Sequence, residues 1–322
     1  MRFLQGLLVA IFSIAANVCL AQTYPAGTVH IVVPYSAGGG IDALARALAE
    51  RLSAEWGRVV VVENKPGANT MIGAQYVAAA KPDGLTLLLT ESSTLVINPN
   101  IYQKLPYDTF RDFAPVTELV SVTQVLVAPS SFPASTVGEV IRMAKAEPGK
   151  LNYATFGVGS TAHLNMELFA SAAGIKLTHI PYKGSAPAMI DLSAGRVELM
   201  FSSVGGALAQ WKGGRIKMIA FGSSKRLPKY PDIPTVAEAG LKGFEASAWF
   251  GVVAPAGTPA EAINKIQSTL HKITSDPAFR AKYLDPQAFE PVVSTPAEFG
   301  AFLKEETVKW GEVAREKNIR VN

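Results

Sequence analysis

The sequence predicts an α/β fold in two lobes, each a mostly parallel sheet flanked by helices. Short apolar runs alternate with amphipathic stretches along the whole chain. The apolar runs are near-continuous rather than alternating, as in strands covered on both faces. About 300 residues would remain after an N-terminal leader, more than one hydrophobic core usually serves.

The elements follow in order. Met1-Arg-Phe-Leu-Gln gives a short basic start, and residues 7–16 form an apolar core too short to span a bilayer. Small residues then lead to Ala21, so residues 1–21 read as a signal peptide cleaved near Ala21, with polar Gln22 and Pro25 following. Cys19 raises a lipoprotein alternative, disfavoured because Val18 is bulky where that processing wants a small residue. With the leader removed the chain has no cysteine, so its fold owes nothing to disulfides. A periplasmic location is the expectation.

Strands are expected at 29–33, 59–63, 85–90, 124–128, 151–154, 177–181, 197–201, 216–221 and 250–254. Helices are expected at 41–56, 71–80, 137–146, 161–173, 187–194, 259–274 and 296–317. Residues 120–127 and 246–253 are extended apolar segments suited to crossing between lobes. The lobes would then be 22–122 with 248–322, and 123–247.

Val29-His-Ile-Val-Val33 runs into Pro34-Tyr-Ser-Ala-Gly-Gly-Gly40 and then onto a helix carrying Ile41, Leu44, Leu48, Leu52 and Trp56 on one face. The first N–H groups of a helix lack intrahelical partners, and the macrodipole adds positive charge there. Gly38, Gly39 and Gly40 let a ligand approach that backbone closely, giving a seat for a carboxylate or phosphate. Thr155-Phe-Gly-Val-Gly-Ser-Thr-Ala-His-Leu164 repeats the arrangement. Tyr35 and Phe156 each precede a seat. His163 lies in the first turn of the second helix, either lining the cleft or packing beside it. Asp42 reads as a helix-start cap. His30 and His179 read as core histidines within strands. Trp211, Trp249 and Trp310 read as core or hinge residues, and Asp191 and Glu198 as solvated or capping.

Other functions fit poorly. Gly38-Gly-Gly40-Ile-Asp-Ala43 matches G-x-G-x-x-A, and Glu63 falls where a ribose-binding acid would sit. Four residues nevertheless separate the strand from its first glycine, and the second glycine turn has no matching acid. No G-x-S-x-G elbow and no histidine spacing for zinc occurs, so neither an enzyme nor a metal or cofactor is expected. The net charge of +4 is spread along the chain, which offers no nucleic-acid surface.

Val32-Val-Pro-Tyr-Ser-Ala-Gly-Gly-Gly-Ile-Asp-Ala-Leu-Ala-Arg46, Glu63-Asn-Lys-Pro-Gly-Ala-Asn69, Lys81-Pro-Asp-Gly84, Leu105-Pro-Tyr-Asp108 and Asp112-Phe-Ala-Pro-Val116 resemble the Bug (TctC-like) receptors of tripartite tricarboxylate transporters. Gly159-Ser-Thr-Ala-His-Leu164, Pro181-Tyr-Lys-Gly-Ser-Ala-Pro187, Gly195-Arg-Val-Glu-Leu-Met-Phe201 and Pro234-Thr-Val-Ala-Glu-Ala-Gly240 extend the likeness over the remaining chain. The resemblance implies a Venus-flytrap periplasmic binding fold, type II-like, holding a carboxylate between its lobes. It also implies membrane transporter subunits as partners, or a sensor if the receptor serves signalling instead.

The site expected on these grounds comprises Tyr35, Ser36, Ala37, Gly38, Gly39 and Gly40 in the first lobe. Phe156, Gly159, Ser160, Thr161 and His163 face them, with Tyr182, Gly184 and Ser185 as a further wall because Gly184-Ser185 again precedes a helix. Ser202 joins through the resemblance. Ser202-Ser203 stands where relatives often carry an acid, Ile41 where they often carry a polar residue, and Thr70-Met71 replaces a glycine-rich pair. These departures imply a more apolar pocket, less suited to a ligand amine. A monomer is expected.

Overall fold

A computed structural model describes residues 24–321. The expected leader, with Cys19 and Ala21, lies outside the described residues.

The first unit is β1 (Val29–Val33), α1 (Gly40–Trp56) and β2 (Val60–Asn64), followed by α2 (Met71–Ala78) and β3 (Thr86–Glu91). β1 is a β-branched run buried except at His30, and it pairs in parallel with β2 and β3. α1 buries Ile41, Leu44, Leu48 and Leu52 against that sheet and stops at Gly57, whose φ of 61° suits glycine. A π-helical turn at Ser93–Ile97 and one-turn helices follow β3.

β4 (Phe113–Pro129) is a single strand of 17 residues. Then come α3 (Val137–Ala146), β5 (Asn152–Thr155), α4 (Thr161–Ala173), β6 (Thr178–Pro181), α5 (Ser185–Ser193), β7 (Met200–Ser203), α6 (Val204–Lys212) and β8 (Ile216–Phe221). The chain returns through β9 (Ser247–Pro255), α7 (Ala260–Ser275), β10 (Phe289–Pro291) and α8 (Pro296–Glu316).

The sheet order in the first half is β10-β4-β9-β3-β1-β2. In the second half β5 pairs with β6 in parallel, Tyr153 bridges to Leu199 beside β7, and β4 pairs with β7 and β8. Both halves therefore read second, first, third, and then an antiparallel strand. The sheets are mixed, which corrects the expectation of mostly parallel ones. β9 runs antiparallel to β3 and β4, while β4 runs antiparallel to β7, β8 and β10. An apolar run covered on both faces reads the same in either direction, so the hydrophobic pattern could not reveal this.

β4 joins the halves, because Phe113 to Thr123 pair with β9 while Gln124 to Pro129 pair with β7 and β8. The two extended segments expected to cross thus lie side by side. Among the helices, two further elements differ from the sequence reading. α6 was not expected, since Gly205-Gly206 lowers helix propensity at its start. α5 begins two residues early, at Ser185.

Four apolar clusters fill the layers, two in each half. Trp249 and Trp310 are core residues: both indole N–H groups donate to the buried Glu306 carboxylate, at 3.3 and 2.9 Å. Trp211 packs edge-on to Tyr230 against a second-half cluster. Glu118 on β4 sits half-buried near Glu306, and burial together with that charge pushes its pKa up to about 7. Its folded pKa lies above the unfolded value, so this stabilisation is full below the unfolded pKa and is lost as pH rises through about 7. Glu118→Gln should therefore melt above wild type near about pH 8 and converge with it near about pH 4. A melting difference constant across that range would contradict the assignment.

Candidate functional site

The first seat hangs between β1 and α1. Tyr35 is half-buried, its hydroxyl 2.9 Å from Ser93 Oγ and its carbonyl accepting from Asn64 Nδ2 at 3.1 Å. Burial, then the Glu91 charge, raises the Tyr35 pKa well above its ordinary value, so the phenol stays neutral. Gly38, at φ 92°, donates its N–H to Asp42 Oδ2 at 2.9 Å. Arg46 forks onto both Asp42 oxygens at 3.0 Å, and Asn64 Nδ2 adds a bond at 2.9 Å. Burial opposes ionisation of Asp42, but these bonds outweigh it and hold the carboxyl below its usual range. Asp42 thus braces the turn through the Gly38 N–H rather than capping the helix, which begins after Gly39 with no side-chain cap. Gly39 precedes the helix with no side-chain cap, and a Cβ built on it meets nothing within 4 Å. Ser36 and Ala37 are exposed beside it.

The second seat lies between β5 and α4. Ser160 caps the helix, accepting from the His163 N–H at 3.3 Å and donating to the Gly157 carbonyl at 2.8 Å. His163 Nδ1 accepts from the Gly159 N–H at 3.2 Å. The His163 ring stacks on His179 with centroids 4.0 Å apart, and His179 stacks on Tyr153 at 5.0 Å. Burial pulls both imidazole pKa values down to about 4, with His163 adding to the effect at His179, so both rings are neutral. His163 is thus packed against the second turn, bonded to Gly159 and stacked on His179. His179 is half-buried, with Nε2 2.6 Å from Thr155 Oγ1. His30 departs from its core reading: it is half-exposed, with Nδ1 2.6 Å from Glu63. Glu63 also meets Lys65 at 3.1 Å, a pairing that explains its place without a ribose.

Thr161 is buried and its hydroxyl lies 3.1 Å from Ser92 Oγ at the end of β3, so it spans the two halves. A Cβ on Gly159 would overlap Ile101, another contact across the cleft. Phe156 packs against a second-half cluster. Tyr182 donates its hydroxyl to Asp191 at 2.9 Å, and Arg196 holds the other Asp191 oxygen at 2.6 Å. Asp191 is accordingly an anchor for the Tyr182 wall rather than a solvated acid. Gly184, at φ 138°, opens α5 with no side-chain cap. Ser202 is buried and bonded to the Ser203 carbonyl at 3.2 Å, while Ser203 caps α6 through the Gly206 N–H at 3.1 Å.

Two parts of this site escaped the sequence reading. Gln287 reaches between the halves: a Cβ on Gly205 would overlap its amide, and one on Gly40 would lie 3.9 Å from its Oε1. The start of α6 is thus another glycine helix N-terminus near α1. Ser202-Ser203-Val-Gly-Gly206 carried the signal, a serine cap ahead of glycines. The other part is Glu91-Ser-Ser93, where an apolar strand ends in polar residues at the carboxyl edge of a parallel pair. Side-chain hydroxyls at Ser160, Thr161 and Tyr182 have partners within the protein, whereas Gly39 and Gly184 open their helices without a side-chain cap. Among the described residues no cluster of three metal-ligating side chains occurs, and no helix is long and apolar enough to cross a membrane.

The family model described as "Tripartite tricarboxylate transporter family receptor" matches residues 44–319. The chain is 35% identical to Protein BugT of Bordetella pertussis, over 98% of this chain and 97% of that one. It superposes with a TM-score of 0.87 on R. palustris Rpa4515 with adipate, at 34% identity over 91% of this chain and 97% of that one. MatC (Rpa3494) from Rhodopseudomonas palustris with bound malate is similar at TM-score 0.82 and 30% identity, over 90% of this chain and 99% of that one.

Proposed function

The chain belongs to the tripartite tricarboxylate transporter receptor family, and from that premise we propose that it captures a small organic carboxylate between its lobes and delivers it to membrane transporter subunits. Receptors of this family are periplasmic solute-binding proteins rather than enzymes. The observation that carries the reading is the set of helix starts that lie close to one another in pairs. α1 and α6 both begin beside Gln287, α4 begins against Ser92, and Gly157 lies within contact of the Tyr182 carbonyl ahead of α5. Each start offers oriented N–H groups and a positive dipole end, which suits an anion without a lysine or arginine. Related structures hold adipate and malate, in keeping with a carboxylate here.

The site in this reading is the turn from Tyr35 to Gly40, the starts of α4 and α5, and Ser202. The lobes are residues 22–122 with 248–322 and residues 123–247, hinged where β4 and β9 run side by side. The leader is removed near Ala21 and the receptor acts as a monomer in the periplasm. Closure would bury the ligand charge among donors already aimed at it, strengthening each bond.

The test is thermal-shift screening of the mature protein against organic carboxylates, with chemical analysis of each hit after incubation. A ligand specific to the folded state must raise the melting temperature. The expected result is a carboxylate that does so and is recovered unchanged. Turnover of that compound, or no response to any carboxylate, would contradict the proposal.

A further inference from the structure

We propose that Glu91 sets ligand selectivity: its carboxylate accepts from a ligand ammonium group, so the cleft takes an amino carboxylate in preference to a dicarboxylate of equal chain length. This rests on the carboxylate-receptor reading above.

The position of Glu91 is the first argument. It ends β3, paired opposite Phe250 of β9, at the strand edge from which the first seat departs. Its neighbour Ser92 touches Thr161 at the second seat, 3.1 Å away. Ser93 donates to Glu91 Oε1 at 3.2 Å and lies 2.9 Å from the Tyr35 hydroxyl at the first seat. Glu91 therefore stands between the two seats, partly buried at the end of β3.

Charge supplies the second argument. Asp42, the other acid at the first seat, is neutralised by Arg46 and bonded to Gly38 and Asn64. Among the described residues no cation pairs with Glu91, whose polar neighbours are Ser93 and Tyr35. Burial raises its pKa, with those two hydroxyl partners offsetting only part of the effect. Burial without a counter-charge holds the carboxyl toward its neutral form, and a ligand ammonium favours its ionisation by supplying the missing charge. The second carboxylate of a dicarboxylate would instead meet a like charge in a site of low dielectric. The acid absent at Ser202-Ser203 is thus replaced from another strand, reversing the expectation that a ligand amine is disfavoured.

Calorimetric titration with matched pairs tests this: succinate against 4-aminobutanoate, and adipate against 6-aminohexanoate. In at least one pair the amino compound should bind wild type at least about tenfold more tightly. Glu91→Gln should erase that preference without lowering the apo melting temperature, and Glu91→Asp should retain its direction. A preference for the dicarboxylate in every pair would overturn the assignment and point to protonated Glu91 acting as a donor. A preference that survives in Glu91→Gln would also overturn it, as would binding confined to carboxylates lacking an amine. In each of these cases the receptor reading stands. Failure of every carboxylate to bind would remove that reading, and this one with it.

Discussion

Gly39→Val should weaken carboxylate binding more than about a hundredfold while leaving the melting temperature of the unliganded protein almost unchanged. Gly39 has φ −82°, a conformation any residue adopts, so valine introduces no backbone strain. A Cβ there meets nothing within 4 Å, so the new methyl groups project into open space beside the start of α1. They would hold a ligand away from the N–H groups at the start of α1. Two charge-assisted hydrogen bonds at about 1.5 kcal/mol each amount to about 3 kcal/mol, which exceeds a hundredfold in Kd. Calorimetric titration paired with thermal melting separates the effects. Wild-type affinity in a normally folded variant would put the ligand elsewhere.

Gly222→Ala should act on stability instead. Gly222 follows β8, where its N–H donates to the Gln124 carbonyl at 2.8 Å and its carbonyl accepts from Ala246 N–H at 2.9 Å. A Cβ would overlap the Ala246 carbonyl oxygen and lie 3.2 Å from its carbonyl carbon. Both atoms belong to the Ala246 backbone, which is tied to Gly222 by its own N–H, so no side chain can rotate away. Overpacking of this kind costs about 1–3 kcal/mol. The melting temperature should fall by several degrees, and melting indistinguishable from wild type would show that the segments carrying Gly222 and Ala246 can part without cost.

The unit from Val29 to Trp56 was legible because a β-branched run, a glycine turn and a 3.6-residue period each announce themselves. Its recurrence at the second seat was legible for the same reason, and the matching strand orders of the two halves bear out that internal likeness. The direction of β4 and β9 was hidden, since burial on both faces leaves the same apolar run whichever way it points. α6 was hidden by its own glycines. At the site, residue type located the seats but could not allot hydrogen bonds. Ser160, Thr161 and His163 stood out by residue type, but the bonds their side chains make to the cap, Ser92 and Gly159 came into view only in the fold. Glu91 and Gln287 belong to no local pattern and come into view only when the chain is folded.

The most direct test of a carboxylate seated on helix starts is to follow backbone amide resonances while titrating the best carboxylate from the thermal screen. Gly39, Gly40 and Gly184 should shift saturably with one dissociation constant, matching calorimetry, because their N–H groups stand at the uncapped starts of α1 and α5. Saturable binding that leaves these three amides unmoved while others shift would place the carboxylate outside the glycine seats and contradict the account.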